Sequence, residues 1–291
     1  MFATALLVLQ ATFQSPRLVE SSGVAVSHAY PGVLWTHNDS GDGPYLYATD
    51  LRGTDRGWLL VPGAQAIDWE DMSLGPCPLP FVLQPRPRVD ATTCVYLGDT
   101  GDNLEARPFV TLYAIPEPQP SERASDTLGT TRAPAILRLR YPDGPHDVEA
   151  IYVSPRDTAV YLVSKGAKRG SAIRLYRVDR RSWTDTTSDV AVATLVQTLD
   201  IRPNSEAGRV VTGGAIRPDG RIVALRTYGE IYLFYPGVGG RLVPARERPC
   251  DIAGLDIGGE AIDFLSDTTF VLTSEAGRRR PGTIHSISCR P

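Results

Sequence analysis

Three glutamates recur at the start of similar short segments of the sequence. Glu70 lies in DWEDMSL, Glu149 in DVEAIYV and Glu260 in GEAIDFL, whereas SSGVAVS and TGGAIRP carry Ser22 and Thr212 at the equivalent positions. If the fold gathers these segments around one axis, the carboxylates repel one another unless a cation lies between them. Hard oxygen ligands without a converging set of His or Cys suit Ca²⁺ better than Zn²⁺. The pattern therefore predicts a Ca²⁺ site formed by these five residues. The alternative is that the glutamates pair with Arg side chains or cap backbone amides.

Further polar residues end the strand-like run that follows each of these segments. In a phosphohydrolase, the Ca²⁺ ion would polarise a phosphoryl group, and Asp39 or Asp99 would orient the attacking water. Basic side chains would hold the phosphate oxygens, although a solvated hairpin tip explains Lys168 and Arg169 slightly better. The predicted substrate-binding residues are His37, Asn38, Asp102, Asn103, Lys165 and Arg226.

The elements that must position these residues are short strands. Twenty-seven Gly and 24 Pro are scattered between runs rich in Val, Ile, Leu, Thr and Tyr, such as AVYLVS, EIYLFY and TFVLTS. Turn signals such as RPDG precede several runs. Convincing long amphipathic helices are absent from the sequence. The predicted class is all-β.

The strands repeat in units of four, and five such units can be counted. Radially repeated four-stranded antiparallel sheets are typical of a β-propeller. We therefore predict a single five-bladed propeller over residues 15–291, with six blades as the alternative if the long intervals hide a weak blade. The last unit lacks a fourth strand, and SPRLVE, from Ser15, is predicted to supply it and close the ring.

The propeller geometry would bring the candidate residues to one face. The first strand of each blade lines the central channel, and the second strand runs antiparallel to it. The start of the first strand and the end of the second therefore lie at the same channel mouth. We expect a ligand or a protein partner to bind there.

The motif order resembles that of the calcium-activated nucleotidase (apyrase) propellers. SSGVAV, DWEDM, VEAIYV, TGGAI and GEAIDF match the alternation of acidic and small blade starts in that family, and RIVALRT and THNDSG are similar to its second-strand ends. HNDSG, DWEDM and GDTGDN are also similar to uncharacterised bacterial phytase-like propellers. The resemblance implies one Ca²⁺ in the channel beside a pocket for a small phosphorylated ligand.

Other function classes are weighed by charge and composition. The formal net charge of −3 lacks the basic footprint of a nucleic-acid binder. A non-catalytic scaffold or partner subunit with a structural Ca²⁺ is one alternative. A glycoside hydrolase using Asp39, Asp99 and Glu149 is another, although few aromatic residues fall near this face.

The cysteines and the N-terminus bear on the compartment. Residues 1–14 include an apolar stretch, MFATALLVLQAT, that suits either a secretory signal or a first strand. No run reaches the roughly 20 apolar residues of a membrane-spanning helix. Cys77 and Cys94 flank a Pro-rich insertion, and a bridge there would leave Cys250 and Cys289 as the second pair, one of three connectivities. Two disulfides favour an extracytoplasmic location.

Overall fold

The chain forms a ring of small, mainly antiparallel sheets in a computed structural model. The structure describes residues 3–82, 92–120, 128–166, 171–184, 188–201, 210–255, 258–277 and 280–289. The first strands are β1 (Ala3–Thr12), β2 (Ser21–Val26), β3 (Leu34–Asn38), β4 (Tyr45–Thr49), β5 (Trp58–Leu60), β6 (Trp69–Pro76), β7 (Thr93–Asp99) and β8 (Val110–Pro116). The middle strands are β9 (Leu128–Thr130), β10 (Ala135–Arg140), β11 (Val148–Val153), β12 (Val160–Ser164), β13 (Ile173–Val178), β14 (Ala191–Val192) and β15 (Thr194–Leu199). The last strands are β16 (Val211–Ile216), β17 (Val223–Thr227), β18 (Glu230–Pro236), β19 (Leu242–Pro244), β20 (Cys250–Asp251), β21 (Gly259–Phe264), β22 (Thr269–Ser274) and β23 (Thr283–Cys289). The helical segments are short: α1 (Leu79–Val82) and the 3₁₀ turns Arg180–Trp183 and Val238–Gly240.

These strands build five blades, as the sequence predicts. Blade 1 is β2-β3-β4-β5 and blade 2 is β6-β7-β8-β10. Blade 3 is β11-β12-β13-β15, and blade 4 is β16-β17-β18 with β19 and β20 both paired to β18. Blade 5 is β21-β22-β23-β1. The inner strands contact one another in the circular order β2, β6, β11, β16, β21 and back to β2. The fold is therefore a five-bladed β-propeller, not a six-bladed one.

The N-terminal strand closes the ring, but the closing segment differs from the predicted one. Strand β1 pairs antiparallel with β23 from Ala5 opposite Cys289 to Thr12 opposite Thr283. It covers the outer edge of blade 5, which would otherwise expose unpaired backbone groups. The predicted SPRLVE segment instead makes a turn, in which the Leu18 amide donates to the Ser15 carbonyl at 3.3 Å. This segment forms no strand because it must carry the chain from β1, at the outer edge of blade 5, to β2, the inner strand of blade 1.

A hydrophobic core lies between each pair of neighbouring blades. Between blades 1 and 2, the fully buried Trp35 packs with Trp69 and Met72. Four equivalent clusters fill the remaining interfaces of the ring. Successive side chains of a strand point to opposite faces of its sheet, so each blade packs apolar side chains against both neighbouring blades. The propeller is thus held by inter-blade packing rather than by one central core.

Two disulfides add to this packing, in the connectivity that the cysteine positions favour. Cys77 pairs with Cys94, and Cys250 pairs with Cys289. The second bridge joins β20 of blade 4 to β23 of blade 5, beside the strand that closes the ring. Both bridges are consistent with an extracytoplasmic location. Among the described residues, no helix has the length and apolar character needed to cross a membrane.

Candidate metal centre at the channel mouth

Each inner strand begins with a β-bulge at the same position. In β6, for example, Trp69 lies opposite Asp99 and Asp71 lies opposite Gly98, so that Glu70 has no partner on β7. A bulge releases its extra residue from the ladder and re-aims its side chain. The extra residues of the five bulges are Ser22, Glu70, Glu149, Thr212 and Glu260. The repeated motif in the sequence therefore marks a repeated backbone irregularity at the channel mouth.

The carboxylate of Glu70 is the centre of an acidic group. Its side chain is buried, with 4% of the residue exposed. Oxygen atoms of Asp39, Asp68 and Glu70 lie within 4.8 Å of one another. The Lys165 ammonium, which contacts neighbouring carboxylates, also interacts electrostatically with Glu70. A buried carboxylate among other carboxylates is costly unless it is protonated or balanced by a cation.

The pKa values of the carboxylates in this group are raised, as expected for acids that are buried close together. Burial raises the pKa of Glu70 well above its usual value, and the nearby charges of Glu149, Asp39 and Asp68 raise it further. Burial, with the charges of Asp39 and Asp147, raises the pKa of Asp68 to about 6. A bound cation would reverse both effects, because it stabilises the ionised carboxylates.

A second acidic group adjoins the first and contains a lysine. Oxygen atoms of Glu70, Asp147 and Glu149 also lie within 4.8 Å of one another. The Lys165 ammonium donates to Glu149 Oε1 and lies 3.7 Å from Asp147 Oδ2. Burial raises the pKa of Glu149 to about 8, although the charge of Lys165 opposes this. The lysine follows the end of β12, where the sequence predicts a mouth residue.

The other predicted metal ligands contact neighbouring blades. Ser22 Oγ donates to the Glu70 carbonyl at 2.6 Å, and Thr212 Oγ1 donates to the Gly259 carbonyl at 3.0 Å. Glu260 accepts a hydrogen bond from the Tyr228 hydroxyl at 3.2 Å. The two close acidic groups contain Glu70 and Glu149 but not Glu260. Among the described residues, both close acidic groups therefore come from blades 1 to 3.

The two predicted aspartates of the DTGDN segment organise the loop after β7. Asp99 is fully buried, 3.0 Å from an Arg107 guanidinium nitrogen, and accepts a hydrogen bond from the Asp68 amide at 3.0 Å. Asp102 accepts hydrogen bonds from the Ala106 and Arg107 amides at 2.9 and 2.8 Å. The Asp102 amide donates to Asp147 Oδ1 at 2.9 Å. Both residues thus position members of the acidic groups, while Asn103 is exposed in the same loop.

Three further predicted ligand-binding residues are buried. His37 lies edge-on to the Trp69 ring, and burial lowers its pKa to about 4, which keeps the imidazole neutral. Asn38 Oδ1 accepts hydrogen bonds from the amides of residues 19 and 20, at 3.1 and 2.9 Å. The fully buried Arg226 donates from Nη1 to the backbone carbonyls of Ala261 at 2.7 Å and Thr273 at 2.9 Å, which ties blade 4 to blade 5. The contacts described for these three side chains lie within the fold, and their role in ligand binding stays a prediction. Lys168 and Arg169 lie outside the described residues.

Sequence reasoning missed two members of the acidic groups, Asp68 and Asp147. Each lies two residues before a bulged glutamate, in the triplets Asp68-Trp69-Glu70 and Asp147-Val148-Glu149. The bulge allows both acids of the D-x-E triplet to approach the same region. The repetition of this triplet in two blades is the sequence signal that could have identified them.

Comparisons with known proteins support the fold. No protein-family model and no curated protein matches the chain. Among solved structures, the PQQ-bound form of an aldose sugar dehydrogenase from Streptomyces coelicolor is similar over 99% of this chain and 98% of that one. The TM-score is 0.55 at 12% sequence identity. This likeness supports the propeller fold alone, and the resemblance to calcium-activated nucleotidases and phytase-like propellers remains a prediction.

Proposed function

We propose that this extracytoplasmic propeller binds Ca²⁺ at its channel mouth through Glu70, Asp39 and Asp68. The observation that carries the proposal is the buried Glu70 carboxylate, which belongs to two groups of carboxylates whose oxygen atoms lie within 4.8 Å of one another. A cation would turn mutual repulsion into shared coordination. This refines the five-residue ring that the sequence predicts, because Ser22 and Thr212 donate to backbone carbonyls and Glu260 lies in neither acidic group.

The chemistry of the ligands favours Ca²⁺ over transition metals. All three side chains offer carboxylate oxygens, which hard cations prefer. His37, the histidine in the nearby sequence motif, is buried against Trp69, where its Nδ1 lies 2.9 Å from the Asn38 carbonyl. Ca²⁺ also tolerates irregular coordination and completes its shell with water. Asp39 and Asp68 are partly exposed and leave room for that water or for a ligand.

The bound ion would define the ligand class. Without a cation, the acidic mouth repels anions, whereas Ca²⁺ with the adjacent Lys165 ammonium would attract a small phosphorylated ligand. For hydrolysis, Asp39 would orient water beside the ion, while Asp99 is held by Arg107. A scaffold with a structural Ca²⁺ is the alternative, and turnover distinguishes the two. In the glycoside-hydrolase reading, Asp99 and Glu149 would have to act while paired with Arg107 and Lys165.

The structural neighbour is a PQQ-bound sugar dehydrogenase, but at 12% sequence identity the likeness extends to the fold and not to the cofactor or the reaction. We therefore derive no redox step for this chain.

Calorimetric titration with Ca²⁺ tests the proposal. We expect one ion per chain, with a dissociation constant of roughly 10⁻⁴ to 10⁻³ M, as in extracellular modules. A phosphate monoester should then bind in Ca²⁺ and not in EDTA, and its hydrolysis in Ca²⁺ would identify an enzyme. Folded protein that gives no heat with millimolar Ca²⁺ would contradict the cation site.

Gly101 provides a test of the space around the proposed ligands. A Cβ atom at this position would lie 2.1 Å from Glu70 Oε1 and 2.5 Å from Asp68 Cγ. Gly101→Ala should displace both carboxylates and weaken Ca²⁺ binding by about fivefold or more, which corresponds to about 1 kcal/mol of binding free energy. Gly229→Ala is the matched control, because a Cβ atom there meets no neighbour within 4 Å. Equal Ca²⁺ affinities in the two variants would argue against coordination by Glu70 and Asp68.

A further inference from the structure

We propose that Glu70, Asp147 and Glu149 form a second cation subsite, which the Lys165 ammonium occupies as a built-in cation. The inference rests on the proposed function, because Glu70 belongs to both acidic groups. It goes further by limiting the mouth to one metal ion and by assigning the role of second cation to a side chain.

The three carboxylates have the arrangement of a ligand set. One oxygen of each lies within 4.8 Å of the others, and all three residues are less than 10% exposed. Lys165 contacts two of the three: it donates to Glu149 Oε1 and lies 3.7 Å from Asp147 Oδ2. The ammonium therefore contacts two members of the set directly and interacts electrostatically with the third, Glu70.

The backbone positions this lysine at the boundary between two blades. The Lys165 amide donates to the Asp147 carbonyl at 2.9 Å, and its carbonyl accepts from the Val211 amide at 3.0 Å. Asp147 directly precedes the inner strand β11 of blade 3, and Val211 is the first residue of the inner strand β16 of blade 4. Because its backbone is held on both sides, the side chain reaches the carboxylates from a fixed origin. This makes the ammonium part of the site and not a chance surface contact.

The inference predicts how many metal ions the channel mouth binds. Two divalent ions often share a bridging carboxylate at a separation of about 3.5–4 Å, and Glu70 is placed to act as such a bridge. In the native protein, an ammonium in the second position would exclude the second metal ion by charge and by volume. It would also remain beside the first ion as a contact for an anionic ligand. Removing the ammonium should open the subsite.

Ca²⁺ stoichiometry is the test, measured by calorimetry and checked by equilibrium dialysis with metal analysis. The native chain and Lys165→Arg should bind one ion, and Lys165→Met should bind two. Lys165→Met combined with Glu149→Gln lacks both the ammonium and one ligand charge, and should return to one ion. In EDTA, Lys165→Met should also melt at a lower temperature than the native chain, and Ca²⁺ should raise its melting temperature by more.

The outcomes separate this inference from the proposed function. One ion in both the native chain and folded Lys165→Met would overturn the inference and leave the cation site intact. No ion in either protein would overturn both. No ion in the native chain with one in Lys165→Met would support the inference and contradict the native Ca²⁺ site. If Lys165→Met does not fold in EDTA, purification in Ca²⁺ or the polar variant Lys165→Gln supplies the same comparison.

Discussion

Glu70→Gln is expected to remove the stabilisation by Ca²⁺ and to raise the melting temperature of the metal-free protein. Glu70 is a buried carboxylate surrounded by other carboxylates, so its charge costs free energy when no cation is present. The amide has nearly the same shape without that charge. In the native chain, Ca²⁺ at 100 times its dissociation constant should add about 2.7 kcal/mol to the free energy of unfolding. Thermal unfolding in EDTA and in Ca²⁺ measures both effects.

The two melting curves should therefore change order: the variant is more stable in EDTA and the native chain is more stable in Ca²⁺. Glu247→Gln, a charge removal at an exposed residue of the loop after β19, is the control and should leave the Ca²⁺ response unchanged. A variant that is less stable than the native chain in EDTA would show that Glu70 has a favourable partner in the folded protein. An unchanged Ca²⁺ response would place the ion elsewhere.

Asp71→Ala is expected to lower the free energy of unfolding by roughly 2–6 kcal/mol. The fully buried Asp71 carboxylate accepts hydrogen bonds from the amides of Ile151 at 2.8 Å and Gly214 at 3.1 Å, and so joins blade 2 to blades 3 and 4. Alanine would leave both donors buried without an acceptor, at about 1–3 kcal/mol each. Urea unfolding with a calibrated m-value measures the loss.

Two variants make this measurement specific. Asp71→Asn keeps a carbonyl oxygen for the two amides and should lose less stability than Asp71→Ala. Asp219→Ala, which removes an exposed salt bridge to Arg217, should have little effect. If Asp71→Ala is as stable as the native chain, the three inner strands are held by packing alone, and the carboxylate is dispensable.

The architecture was predictable from the sequence because propeller blades repeat. Segments such as DVEAIYV followed by AVYLVSK carry the strand pattern and the blade boundary together, so five blades could be counted. The sequence predicts that SPRLVE, and not Ala3–Thr12, closes the ring, since an apolar run near an N-terminus suits both a strand and a signal segment. The pairing with β23 identifies Ala3–Thr12 as a strand of blade 5 in the folded chain.

The site was predictable in part, and the limit is geometric. The repeated glutamates lie at bulge positions, but no particular residue type marks a bulge, so the sequence does not predict the bulge itself. Whether a polar residue at a strand end faces the mouth or a neighbouring blade depends on twist and packing. Arg226 and Asp99 thus occur at predicted positions yet contact backbone carbonyls and Arg107. Asp68 approaches Glu70 locally, through the bulge in their shared D-x-E triplet, whereas Asp147 approaches Glu70 only because blades 2 and 3 are neighbours.

The most direct measurement is the anomalous scattering of Ca²⁺ in crystals grown at a saturating concentration of the ion. The proposed site predicts a peak about 2.3–2.6 Å from carboxylate oxygens of Asp39, Asp68 and Glu70, with the Lys165 ammonium still in contact with Glu149. A mouth without a peak, in which a basic side chain or a protonated Glu70 satisfies the acidic group, would contradict it.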